Sequence, residues 1–77
     1  MIKYKNLSGR SGVDSYEIGN DQIKVKFRDG VVYTYNNIKP GRLLVDQMVR
    51  YALAGKGLNA FIQRFVKKKY SKKINCC

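Results

Sequence analysis

Ile23-Lys24-Val25-Lys26-Phe27-Arg28 alternates apolar and basic side chains without a break. Successive side chains of a strand point to opposite faces, so this run has one face for a core and one for water. A helix would scatter the same residues around its circumference. Asp29-Gly30 follows, a tight-turn signal. Val31 to Tyr35 is β-branched and aromatic and reads as the returning strand. Upstream, Val13 to Ile18 is strand-like, and Gly19-Asn20-Asp21 forms the turn between it and the alternating run. Residues 6–12 hold Asn6, Ser8, Gly9, Ser11 and Gly12, which is loop composition.

The period changes near Pro40. Asn36 to Lys39 is a connection, and Pro40 suits the first turn of a helix, where its missing N–H costs nothing. Leu44, Met48, Tyr51 and Ala52 then recur at helical spacing, widened by Val45, Val49 and Leu53 into a broad apolar face. Gly55 and Gly57 end this helix. Leu58, Phe61, Ile62, Phe65 and Val66 form the apolar face of a second helix, with Asn59, Gln63, Arg64 and Lys67 opposite. The expected fold is α+β. A three-stranded antiparallel β-meander is followed by two helices packed on one sheet face, in the order β-β-β-α-α. With 77 residues and 8.9 kDa there is room for one small domain, residues 1–77. Residues 6–12 are its loop and residues 71–77 a basic flexible tail.

The turn leaves two registers open. A two-residue turn at Asp29-Gly30 pairs Lys26 with Tyr33 and Lys24 with Tyr35. Both tyrosines then stand beside lysines on the open face, as in a single-strand stacking platform. A three-residue loop, Arg28-Asp29-Gly30, with Gly30 left-handed at a bulge, pairs Phe27 with Val31, Val25 with Tyr33 and Ile23 with Tyr35. A slip of one residue turns every side chain over. The second register gathers more apolar area on one face, which favours Tyr33 and Tyr35 as core residues.

Sixteen Lys and Arg face five acids, for a net charge of +11. Eight of the bases follow Asp46, and no acid does. Such a field attracts polyanions: nucleic acid, an acidic protein or an anionic surface. The alternative is a solubilising basic surface with no specific partner. Cys76 and Cys77 are adjacent, so they cannot staple a fold, and the chain reads as cytoplasmic. No stretch has the length of a membrane span and the start lacks an apolar leader.

Catalytic chemistry has little to work with. There is no His. Asp14 and Glu17 are offset onto opposite faces of a strand, and Ser8, Ser11 and Ser15 have no evident base. Gly55-Lys56-Gly57 is only a fragment of a phosphate loop. The acids are too few and too scattered for a metal site, so no cofactor is expected.

Tyr33-Thr34-Tyr35 after Phe27-x-Asp29-Gly30 resembles the KTSC domain. That short module is named for the C-terminal region of some lysyl-tRNA synthetases and also occurs as stand-alone small bacterial proteins. The resemblance covers about residues 8 to 70. Gly55-Lys56-Gly57-Leu58-Asn59-Ala60-Phe61-Ile62 fills the place of the family's small-residue turn and aromatic-Asn segment, without the paired aromatics before Asn59. The resemblance implies RNA binding. It also implies a polar residue between the two tyrosines, which suits the register with both tyrosines inward.

The expected function is a small, non-catalytic, basic nucleic-acid-binding module, with RNA preferred to DNA. Phosphate contacts are expected from Arg64, Lys67, Lys68, Lys69, Lys72 and Lys73, and next from Lys24 and Lys26 on the open sheet face. Tyr70, among the lysines, either stacks on a base or anchors the helix end. Gly30, Tyr33 and Tyr35 are the structural motif. The competing reading is a protein-interaction adaptor for an acidic partner. A membrane-surface role ranks third, because the apolar face of the basic helix is needed for the core.

Overall fold

The computed structural model describes residues 1–5, 7 and 12–74. It is α+β, but its antiparallel sheet has five strands rather than three. β1 (Ile2–Lys3), β2 (Val13–Gly19), β3 (Gln22–Phe27), β4 (Val32–Asn36) and β5 (Lys72–Ile74) lie side by side in chain order. The added strands are the two edges. Two residues of β1 pair with β2, and residues 72–74, expected as flexible tail, pair with β4. The expected loop at 6–12 lies mostly outside the described residues, as do Cys76 and Cys77.

The β3–β4 hairpin takes the bulged register. Ile23 pairs with Tyr35 and Val25 with Tyr33. The Phe27 N–H donates to the Val31 carbonyl at 3.0 Å, and the Gly30 N–H to the Phe27 carbonyl at 2.9 Å. Gly30 has φ 92°, a conformation that L side chains rarely adopt. Ile23, Val25 and Tyr35 are buried, and Tyr33 is half-buried against the core. Thr34 points to the other face as expected, yet it is buried there, flanked in register by Lys24 and Lys72.

α1 (Arg42–Ala54) follows. Its N-cap is Gly41, so Pro40 precedes the helix instead of opening it and forms a bridge with Asn36. The Asn36 side-chain oxygen accepts from the Ile38 and Lys39 N–H groups, which holds this connection in a tight turn. Val45, Met48 and Ala52 face the core, and Gly55 caps the helix in the left-handed conformation. α2 (Leu58–Phe61) is only four residues long and passes directly into a π-helical turn, Ile62–Val66. The expected single helix is thus half α and half π.

All of this packs on one sheet face. Tyr16, Ile23, Val25 and Tyr35 from the sheet meet Val45, Met48 and Ala52 from α1 and Leu58, Phe61, Ile62 and Val66 from the second helical segment. Tyr4, just after β1, joins them, and its hydroxyl accepts a hydrogen bond from the Leu58 N–H at 3.3 Å. That bond satisfies one of the free donors at the start of α2.

Candidate nucleic-acid interface

The register defines the sheet face that the helices leave open. In an antiparallel sheet, paired residues share a face. One row across that face reads Lys3, Ser15, Lys26, Val32, Ile74. The next reads Glu17, Lys24, Thr34, Lys72. Lys24 and Lys26, assigned to this face from the sequence, are there. They are joined by Lys72 and by Lys3, which the sequence reading passed over. The first row carries no carboxylate. In the second, Glu17 lies 4.0 Å from the Lys24 ammonium, an exposed pair worth ~0–1 kcal/mol.

β5 is what brings Lys72 here. The Ser71 N–H donates to the Thr34 carbonyl at 2.6 Å, and the Asn36 side-chain amide donates to the Ser71 hydroxyl at 3.0 Å. Lys73, the next residue, therefore points to the opposite face. Its ammonium sits over the Tyr33 ring, 5.7 Å from the centroid, within reach of a cation–π attraction.

Arg64, Lys67, Lys68 and Lys69 are exposed along and after the π turn. Tyr70 turns inward from this group, with its ring 5.0 Å from that of Tyr33. Phe27, Tyr33 and Tyr35 continue the cluster, with Phe27 5.4 Å and Tyr35 6.4 Å from Tyr33. These rings brace the hairpin and the return to β5, and none stands on the open sheet face. Burial raises the Tyr35 hydroxyl's pKa well above its ordinary value, and the neighbouring Tyr33 and Tyr70 hydroxyls add to the shift. Burial also raises that of Tyr4, against the opposing effect of its bond from Leu58.

One aromatic site was missed by periodicity. Phe65 was expected in the core, and Tyr51 in the apolar face of α1. Instead they are 52% and 39% exposed. A π turn closes from i to i+5, so each residue advances less around the axis than in an α-helix. Phe61 and Val66, five apart, are both buried, while Phe65 is left at the surface. Tyr51, Gly57, Ala60, Phe61, Arg64 and Phe65 line a groove of about 200 Å³ there. A second, polar groove of about 290 Å³ is lined by Lys3, Tyr4, Lys5, Val13, Asp14 and Arg28.

Among the described residues, no three His, Cys, Asp or Glu side chains converge. No described helix is long and apolar enough to cross a membrane. No family model matches the chain, and neither the curated proteins nor the solved structures compared with it give a match.

Proposed function

We propose that this domain is a non-catalytic module that binds single-stranded nucleic acid, RNA before DNA, through its phosphates. The observation that carries the reading is the placement of β5. It sets Lys72 across Thr34 from Lys24, on the same open face as Lys3 and Lys26. Cations that are far apart in sequence thus share one helix-free surface. Arg64 and Lys67 to Lys69 add a second basic segment at the end of the helical layer. Lysine contacts of this kind neutralise phosphates without reading bases. The preference for RNA follows from the KTSC resemblance of Tyr33-Thr34-Tyr35 and its flanks.

The test is a salt titration of binding to an unstructured single-stranded RNA and to duplex DNA. Changing Lys24, Lys26 and Lys72 together to Gln removes three charges. At ~0.7 per single-strand contact, the slope of log affinity against log salt should shrink by about two. Lys67, Lys68 and Lys69 changed to Gln give the matching figure for the helix end. If neither triple variant alters slope or affinity, the phosphate reading is wrong. Stronger binding of polyglutamate than of RNA would put an acidic protein partner in its place.

A further inference from the structure

We propose that the groove between α1 and the π turn seats one unpaired nucleobase, with Arg64 taking an adjacent phosphate. This rests on the single-strand reading above and adds what the open sheet face lacks, a surface for bases. The rings form a continuous run: Tyr51 lies 5.2 Å from Phe61, and Phe61 5.0 Å from Phe65. Gly57 keeps the groove open beside Tyr51. A Cβ there would come within 3.0 Å of the Tyr51 ring, and its φ of +84° disfavours any side chain.

Two features select a base over other occupants. The first is charge. The groove is lined by Arg64, on a segment where eight bases follow Asp46 without an acid, so it suits an apolar ring attached to an anion. The second is size and shape. A docked amphipathic helix needs a groove long enough for anchors at i, i+4 and i+7. About 200 Å³ walled by flat rings fits a single planar group instead. Aromatic side chains beside an Arg are the usual stacking arrangement for bases in single strands.

The experiment uses fluorescence anisotropy with a mixed-sequence single-stranded RNA and a duplex DNA, titrated at several salt concentrations. Stacking of one base predicts that Phe65→Ala weakens single-strand binding by roughly 5- to 150-fold. Duplex binding and the salt slope should not change, because no charge is lost. Phe65→Trp should restore single-strand affinity. The chain has no other Trp, so quenching of its emission by RNA reports stacking directly. That variant keeps the test valid even where the Ala variant melts early. Parent-like RNA binding by Phe65→Ala with no Trp quenching overturns the base seat and leaves the lysine reading standing. A parent chain that binds no single strand overturns both. A loss of polyglutamate binding equal to the loss of RNA binding overturns it in favour of an acidic peptide.

Discussion

Tyr4→Phe isolates one atom that ties the N-terminal edge of the sheet to the helical layer. Tyr4 is 2% exposed, and Phe keeps the ring and nearly all of its buried area. What disappears is the acceptor for the N–H of Leu58, a residue with no exposed surface. A buried donor stripped of its acceptor costs ~1–3 kcal/mol. The bond is 3.3 Å, longer than the usual ~2.9–3.0 Å, which places the loss at the lower end, ~1–1.5 kcal/mol. A 77-residue domain has a total stability of ~4–11 kcal/mol, so the fraction is substantial. The melting temperature should drop by ~4–12 °C. Circular dichroism melts of the parent, Tyr4→Phe and Tyr4→Ala measure this, with the Ala variant adding loss of the ring at ~3–5 kcal/mol in total. A Tyr4→Phe melt within about a degree of the parent's would refute the reasoning, because relief from burying the hydroxyl would then match the bond.

Two further outcomes follow from the same geometry. Tyr4 and Tyr35 are held neutral in the fold, with pKa values raised above the 10.0 of an unfolded tyrosine. Their contribution is therefore complete below about pH 10 and is lost as pH rises beyond it, by up to ~1.4 kcal/mol per pH unit for each. Urea unfolding from pH 9 to 11.5 should show this fall, and Tyr35→Phe should flatten it; an equal slope in the variant counts against Tyr35. Truncation after Tyr70 removes β5, the Ser71 bonds and the Lys73 contact on Tyr33. It should cost ~1–2 kcal/mol and leave the edge of β4 open to self-association, read by urea midpoint and gel filtration. An unchanged midpoint and a monomeric elution would mean that β5 contributes nothing.

The hairpin was legible because its register is a choice between burying and exposing a whole apolar set. Ile23, Val25, Phe27, Tyr33 and Tyr35 cannot share the core in the alternative pairing. α1 was legible through Val45, Met48 and Ala52, but Leu53, expected on the same apolar face, is 58% exposed. The edge strands were not. β1 has two residues and β5 reads Lys-Lys-Ile, all exposed, so neither leaves a hydrophobic period. They exist because the outer strands of the meander present unpaired backbone groups, which is information held in the tertiary structure and not in the segments themselves. At the site, the sequence pointed correctly to Lys24 and Lys26 on the open face. It separated them from Lys72 because a charge-rich end reads as a tail.

The π turn lies between the helical layer and the return of the chain to the sheet. An α-helix continued through residues 62–66 would keep Phe65 on the stripe with Phe61 and Ile62, and a fully buried Phe is worth ~1.5–3 kcal/mol. With Phe65 52% exposed, about half of that is forgone. The turn has a structural return. Val66 is still fully buried, the Lys69 N–H closes onto the Val66 carbonyl at 2.9 Å, and Tyr70 reaches Tyr33 just before β5 begins. From there the chain reaches the sheet edge, where β5 places Lys72 beside Thr34. The same widening leaves Phe65 outside, next to Arg64 and Tyr51. The chain thus leaves the π turn toward the edge that holds Lys72, while Phe65 stays in the groove on the helical layer.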